Sequence, residues 1–244
     1  MKAWEPRGSE GEPTGAKELP TAGEGTGEMP RILFVCTGNI CRSVMAEAFF
    51  RRYLGTGKAL GWEVGSAGLE AEPGRPPEPG VVRVMSEYGL DVSGHRARRL
   101  TREMVEGADL VLTMALHNSQ RLVVRHQEVA GKVFTLKEFV IRGLPHGEHL
   151  DGLLPAERLR FLMGRIRRIE GWEPPPGGEV NHQIRSFLFH YFHLYDHELS
   201  IDDPLGQSMD FMRRVAEEIK EAVDELAGPR LLGIIGNLPA RAGG

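Results

Sequence analysis

The chain has 244 residues and a formal net charge of −4, with 41% hydrophobic and 26% charged residues. These values are typical of a soluble globular protein, and the mildly acidic balance argues against a nucleic-acid-binding role. No apolar run approaches the roughly 18 residues of a membrane span, and the N-terminus lacks the apolar core of a signal peptide. Two cysteines, Cys36 and Cys41, are too few for a secreted disulfide framework. We therefore expect a cytoplasmic protein that engages neither nucleic acid nor membrane.

Residues 1–28 are predicted to be either a disordered tail or a mis-assigned start. The first 30 residues contain six Gly, four Pro and six Glu and almost no core-forming side chain. Burial in such a segment cannot offset the entropy of ordering it. The pair Met29-Pro30 is followed at once by a predicted strand, so Met29 is an alternative to Met1 as the start. At the other end, residues 229–244 are predicted to be a loose tail.

Between these tails, predicted strands alternate with predicted helices. Short apolar runs indicate buried strands, and apolar residues at helical spacing indicate helices. In chain order the predictions are a strand at 31–35, a helix at 44–54, a strand at 62–66, a Pro- and Gly-rich loop at 73–80, a helix at 81–88 ended by Gly89, strands at 109–114 and 133–136, and a helix at 210–226. This alternation predicts an α/β fold with a doubly wound, four-stranded parallel sheet.

One segment, residues 141–199, is not required by the alternation and is predicted to be an inserted helical hairpin. Apolar residues at helical spacing lie on both sides of a Pro- and Gly-rich stretch at 174–178. The domain interrupted by the hairpin would comprise 29–140 and 200–228. Opposite the apolar face of the second predicted helix stand His190, His193 and His197. A metal site there lacks a nearby cysteine to complete it, so we expect a solvated polar face and no metal.

The motif that carries chemistry joins the first predicted strand to the first predicted helix and reads Cys-Thr-Gly-Asn-Ile-Cys-Arg-Ser from Cys36 to Ser43. Backbone N–H groups of such a turn converge on the helix N-terminus, where unpaired donors and the helix dipole favour an anion. Arg42 adds a planar fork matched to two phosphate oxygens. Cys36 stands in this positive cradle as a thiolate, a nucleophile that can accept a phosphoryl group. The expected phosphate-binding residues are Thr37, Gly38, Asn39, Ile40, Cys41, Arg42 and Ser43.

This motif resembles the active-site loop of the low-molecular-weight protein-tyrosine phosphatase family, in the bacterial branch that also includes protein-arginine phosphatases. The resemblance covers about residues 30–140 and 200–227. It implies two-step hydrolysis of phosphotyrosine on proteins through a phosphocysteine intermediate on Cys36, without a metal or cofactor. The implied partners are phosphorylated proteins or peptides. A structural cysteine pair beside a chance arginine is disfavoured, because strand, loop and helix all fall where the chemistry needs them.

The resemblance also implies a general acid in the Asp203-Pro204 pair, just before the last predicted helix. A proton donor for the leaving group contributes about 10²–10⁴ in rate. Asp202 is adjacent, but Pro204 restricts Asp203 to an extended backbone and so favours Asp203 as the acid. The alternative is that both acids cap the last helix.

Further residues match the family's hydrogen-bond network beneath the phosphate loop: Asn39, Ser43, Ser66 and His95. Such a network would hold strained loop backbone in place, and the Ser43 hydroxyl would stabilise the Cys36 thiolate. Cys41 has two interpretations. It is either a small apolar filler or a resolving thiol that forms a reversible disulfide with Cys36 and prevents over-oxidation. The resemblance supports the second.

Four functions compete, and hydrolysis of phosphotyrosine leads. Arginine-directed members of the family carry Thr where this chain has Ile40, and an apolar side chain suits an aromatic ring. Leu205 after the Asp-Pro pair favours the arginine alternative, because the family's tyrosine phosphatases often carry aromatic residues there. An arsenate reductase would pass a disulfide to downstream cysteines, and none follows Cys41. The three expected catalytic residues are all present, namely Cys36, Arg42 and Asp203. Their presence argues against a non-catalytic phospho-binding module.

Overall fold

The computed structural model describes residues 31–55, 62–126, 129, 132–143 and 196–227. In this part of the chain, four parallel strands form one sheet with the spatial order β2–β1–β3–β4. The strands are β1 (Arg31–Cys36), β2 (Glu63–Gly68), β3 (Leu110–Thr113) and β4 (Val133–Thr135). The predicted four-stranded parallel sheet is therefore confirmed.

The described helices pack against this sheet. They are α1 (Arg42–Gly55), α2 (Pro79–Glu87), α3 (Arg102–Gly107), α4 (Leu116–Arg125), the single turn α5 (Leu136–Glu138), the π-helical turn Phe139–Gly143 that continues it, and α6 (Met209–Leu226). Neither α3 nor α4 was singled out by apolar spacing. The first has only six residues, and the buried face of α4 includes the polar Asn118 and Ser119, which hide its periodicity.

Successive side chains of β1 enter two separate cores. Ile32 and Phe34 pack with residues of α1, α2 and α6, whereas Leu33 and Val35 pack with residues of α3 and α4. All four side chains are fully buried, as expected of a central parallel strand covered on both faces. This arrangement is the doubly wound architecture that the alternation of elements predicted.

The bounds of α2 differ at one end from the prediction. Pro79 and Gly80 belong to the helix rather than to the preceding loop, because proline at the first helical position is pre-organised for a helix. The predicted end at Gly89 is confirmed, since its φ of +72° is the left-handed conformation that ends helices. There the N–H groups of Gly89 and Leu90 donate to the carbonyls of Ser86 and Met85, both at 3.0 Å.

The predicted tails and nearly all of the predicted hairpin, including His190 and His193, lie outside the described residues. Residues 196–199 are helical, and His197 among them is exposed. Within the described ranges, no helix has both the length and the apolar character that crossing a membrane requires.

Candidate active site

The loop of residues 37–41 follows β1 and leads into the N-terminus of α1. Its backbone oxygens are bound by the chain around it: Leu69 N–H donates to Cys36 O at 3.0 Å, Glu70 N–H to Thr37 O at 2.9 Å, and Glu78 N–H to Ile40 O at 3.0 Å. The surrounding chain thus binds the carbonyl oxygens of Thr37 and Ile40 in this phosphate loop and that of Cys36 just before it. A loop built in this way can offer its N–H groups to an anion, as sequence analysis expects.

The end of β2 approaches the phosphate loop very closely at Gly68. A Cβ atom placed there would lie 2.6 Å from Thr37 O and 2.8 Å from Asn39 N. Both distances are too short for any side chain, and both neighbours are backbone atoms that cannot move aside independently. Glycine is therefore required at this position.

The sulfur of Cys36 is buried and receives hydrogen bonds from two directions. The backbone N–H of Asn39 donates to Sγ at 3.2 Å, and Ser43 Oγ lies 3.0 Å from it. Ser43 Oγ also accepts a hydrogen bond from Asn39 Nδ2 at 3.0 Å, which leaves its own proton to point at the sulfur. The sulfur is thus held in position by a backbone amide and a hydroxyl group.

Asn39 is the centre of the network beneath the loop. Its φ is +54°, an unusual conformation for a residue other than glycine, and it is fully buried. Asn39 Nδ2 donates to Ser66 Oγ at 2.8 Å, its Oδ1 accepts from Arg98 N–H at 2.9 Å, and its carbonyl lies 3.0 Å from His95 Nε2. The structure thus brings together the four residues expected here, and these contacts hold the strained backbone in place.

Burial lowers the pKa of His95, so that its imidazole is neutral near pH 7. Because the partner of Nε2 is a carbonyl oxygen, that nitrogen carries the proton. The ring is therefore a fixed donor to the phosphate loop.

Two members of the network were missed by sequence analysis. Ser66 Oγ donates to Glu47 Oε2 at 2.6 Å, and Arg98 Nη2 donates to Ser66 O at 2.8 Å. Glu47 also accepts a hydrogen bond from Arg51, four residues later on α1. In the sequence this spacing is that of an ordinary surface pair on a helix, and nothing marks the contact with β2.

Arg42 lies in the first turn of α1, and its side chain is only 3% exposed. Nη1 donates to Ile201 O at 2.9 Å, and Nη2 pairs with Asp203 Oδ2 at 2.5 Å. Nε is buried without an acceptor among the described residues. Asp203 is 48% exposed, so the ion pair links a buried guanidinium group to a carboxylate at the surface. It is Asp203, rather than the exposed Asp202, that contacts Arg42.

The segment that carries Asp203 is anchored to the junction of β3 and α4. Ile201 N–H donates to Met114 O at 2.8 Å, and Leu116 N–H donates to Ser200 Oγ at 2.9 Å. Ser200 Oγ in turn donates to Asp196 Oδ1 at 2.6 Å. The anchoring contacts connect distant parts of the chain, and no local motif predicts them.

The alternative that Asp202 and Asp203 cap the last helix is wrong. Ser208 is the N-cap of α6, and its Oγ accepts a hydrogen bond from Phe211 N–H at 3.2 Å. Asp203 Oδ1 instead accepts from Leu205 N–H at 3.2 Å, in the turn after the Asp-Pro pair. The segment that carries Asp202 and Asp203 therefore does not cap α6.

The other loop residues differ in exposure. Thr37 and Gly38 are partly exposed, whereas Ile40 and Cys41 are each 4% exposed and belong to the core beside α1 and α2. Ile40 lies against Gly38, because a Cβ atom added to Gly38 would be 3.4 Å from Ile40 Cγ1. Both cysteines are free thiols. Burial raises the pKa of the Cys41 thiol, and charge on Cys36 adds to the effect, so Cys41 is protonated.

His117, which sequence analysis did not single out, lies half-buried in the first turn of α4. Its pKa is lowered, first by burial and then by the positive charge of Arg42, with Asp196 and Asp203 acting in the opposite direction. Within the described ranges, no three His, Cys, Asp or Glu side chains are grouped as a metal site requires.

Comparison with known proteins decides the family. A family model described as low molecular weight phosphotyrosine protein phosphatase matches residues 31–152. The chain belongs to this family. As a member of this family, the protein is a phosphatase and therefore a hydrolase. The resemblance to the family that the loop motif indicated is confirmed. The match ends before Asp203, so the assignment of Asp203 depends on its contact with Arg42.

Relatives of the phosphatase include proteins named as tyrosine phosphatases and proteins named as arginine phosphatases. A probable low molecular weight protein-tyrosine-phosphatase, EpsP of Ralstonia nicotianae, is 46% identical over 145 residues, which are 59% of this chain and 93% of that protein. A protein-arginine-phosphatase of Bacillus subtilis is 41% identical over 120 residues, 49% of this chain and 77% of that protein. The crystal structure of the low molecular weight protein tyrosine phosphatase from T. tengcongensis has 32% identity and a TM-score of 0.55, covering 81% of this chain and 97% of its own.

Proposed function

We propose that this phosphatase hydrolyses phosphotyrosine in proteins through a phosphocysteine intermediate on Cys36. The observation that carries the proposal is the setting of Cys36 Sγ. Two hydrogen-bond donors contact the sulfur, and the loop that follows it leads directly to the buried Arg42 in the first turn of α1. The relatives named protein-tyrosine-phosphatase support the choice of substrate. In this proposal the enzyme works in the cytoplasm, where reducing conditions keep Cys36 reduced and out of a disulfide.

In the first step, the substrate phosphate replaces Asp203 on Arg42, and the loop N–H groups hold its remaining oxygens. Cys36 Sγ forms a bond to phosphorus as the bond to the tyrosine oxygen breaks. Asp203, released from Arg42, takes up a proton from solvent and gives it to that oxygen as the bond to phosphorus breaks. Arg42 and the loop amides stabilise the charge that spreads over the phosphoryl oxygens in the transition state.

In the second step, water displaces Cys36 from phosphorus. Asp203, now a carboxylate, accepts a proton from the attacking water as the S–P bond breaks and the thiolate re-forms. Ser43 and the Asn39 amide receive the returning negative charge, because both already donate to Sγ. No metal or cofactor takes part in either step of this proposal.

The second candidate is a protein-arginine phosphatase with the same mechanism. Two observations favour it: the 41% identity to the arginine phosphatase of Bacillus subtilis, and the exposed Leu205 where an aromatic residue would flank a phosphotyrosine ring. Ile40 argues for phosphotyrosine, because an apolar side chain offers a guanidinium group no hydrogen bond.

The test is the turnover of two peptides of identical sequence, one with phosphotyrosine and one with phosphoarginine at the same position. We expect kcat/KM to be at least about tenfold higher for phosphotyrosine, a difference of about 1.4 kcal/mol in transition-state stabilisation. Cys36→Ser is the control for enzymatic turnover of either peptide. A preference for phosphoarginine would replace the proposed substrate with the second candidate.

A further inference from the structure

Three arginines on two different segments surround Glu70, and we call them the arginine cluster: Arg99, Arg121 and Arg125. Arg121 Nη2 forms an ion pair with Glu70 Oε1. Arg99 Nε donates to the carbonyl of Ala71, the next residue along the chain, at 3.1 Å. Arg125 follows Arg121 by four residues on α4 and therefore stands on the same helix face.

The segments that carry and surround the arginine cluster contact the phosphate loop. Glu70, at its centre, donates its backbone N–H to Thr37 O at 2.9 Å. The helix that carries Arg121 and Arg125 reaches the same loop residue, since Asn118 Nδ2 donates to Thr37 Oγ1 at 3.2 Å. A peptide chain whose phosphorylated residue enters the loop therefore passes close to these arginines.

The charge of the arginine cluster is not neutralised by Glu70. Three guanidinium groups face one carboxylate, and they hold the pKa of Glu70 below its usual range, with the hydrogen bond from Arg121 as the largest cause. Arg99 and Arg125 are exposed, and the side chain of Arg121 is 36% exposed. In a chain whose net charge is −4, this is a local positive surface beside the site.

We propose that the arginine cluster binds acidic side chains that flank the phosphorylated residue of a substrate protein. The inference rests on the proposed function and narrows its substrate class to phosphorylated sites in acidic sequence. Guanidinium groups match carboxylates in geometry as well as in charge. A positive rim also speeds the encounter with an acidic substrate, an effect that salt reduces.

The experiment compares two phosphotyrosine peptides that differ only in having Glu or Gln at the residues on both sides of the phosphotyrosine. We expect the wild-type enzyme to prefer the Glu peptide by about fivefold in kcat/KM at low salt, because each exposed ion pair contributes about 1.4- to fivefold and two flanking residues are changed. Arg121→Gln combined with Arg125→Gln should reduce the preference to less than about twofold. Raising NaCl from 0.05 M to 0.5 M should reduce it in the wild type as well.

Arg102→Gln is the matched control, because Arg102 is an exposed arginine paired with Glu106 on α3, outside the cluster. This variant should keep the wild-type ratio. A general loss of activity cancels in the ratio of the two peptides. A double variant with the wild-type preference, or a wild type without one, would overturn the proposal while peptide hydrolysis continued. If neither peptide were hydrolysed although p-nitrophenyl phosphate was, the proposed function itself would fail.

Discussion

Arg42 and Asp203 are 161 residues apart in the sequence, yet Arg42 Nη2 and Asp203 Oδ2 lie 2.5 Å apart in the folded protein. The guanidinium is buried and the carboxylate is half-exposed. Asp203 thus occupies a guanidinium nitrogen of Arg42 that a bound phosphate would use. In the proposed mechanism, an incoming phosphate that binds Arg42 displaces Asp203 at the mouth of the loop. In this account, binding of the substrate and release of the general acid are one event.

Asp203→Ala is expected to slow hydrolysis of aryl phosphates by about 10²–10⁴, the contribution of a general acid. Asp202→Ala, which removes an exposed neighbour without the Arg42 contact, is the matched control and should have much less effect. The measurement is kcat for p-nitrophenyl phosphate and for a substrate with a better leaving group. The Asp203→Ala substitution should reduce kcat by a smaller factor for the substrate with the better leaving group. The opposite ranking of the two variants would move the acid to Asp202.

Mild peroxide is expected to inactivate the enzyme reversibly. Oxidation of the Cys36 thiolate gives a sulfenic acid, and attack by the Cys41 thiol expels water and forms a disulfide. Because Cys41 is buried and protonated, we expect the second reaction to be slow. Cys41→Ser should make the loss irreversible as Cys36 oxidises further. Recovery of activity with dithiothreitol measures this, and equal recovery of both proteins would leave Cys41 as a packing residue only.

Ile40→Thr is expected to raise the ratio of phosphoarginine to phosphotyrosine turnover by about tenfold, or 1.4 kcal/mol. Threonine removes apolar surface from the base of the loop and supplies a hydroxyl to a guanidinium group. The measurement is kcat/KM for both peptides in both proteins, so that any loss of stability cancels in the ratio. An unchanged ratio would show that this buried side chain does not select the substrate.

The stability of the protein is expected to fall as the pH decreases from 7.5 to 5.5. Burial lowers the pKa of His95 from its usual value of 6.5, so the unfolded chain binds more protons than the folded one in this range. The stabilisation is complete above the unfolded pKa and is lost as the pH falls towards the folded pKa. His117 is shifted in the same direction.

His95→Gln should reduce this pH dependence, because its amide can donate to Asn39 O but does not titrate. The measurement is the thermal unfolding midpoint at several pH values. Substitution of the exposed His197 by Gln is the control for replacing a histidine with glutamine elsewhere in the chain. A variant with the full wild-type slope would show that His95 does not cause it.

The sheet, and the position of the loop between β1 and α1, could be predicted from sequence because their causes are local. Cys36 and Arg42 lie in one turn between a buried strand and a helix, and that turn determines their placement. The contacts of Glu47 with Ser66 and of Leu116 with Ser200 span 19 and 84 residues. They depend on how distant elements pack, and each residue alone has the appearance of an ordinary polar side chain.

The central claim is that Cys36 becomes covalently phosphorylated during turnover. The most direct test is to mix the enzyme with a phosphotyrosine peptide, quench in acid within a single turnover, digest the protein and locate the phosphoryl group by mass spectrometry. The account predicts the group on Cys36 of the wild-type enzyme, and it predicts that Cys36→Ser does not turn over although it still binds phosphate. Full turnover by Cys36→Ser, or a phosphoryl group on another side chain of the wild-type enzyme, would contradict it.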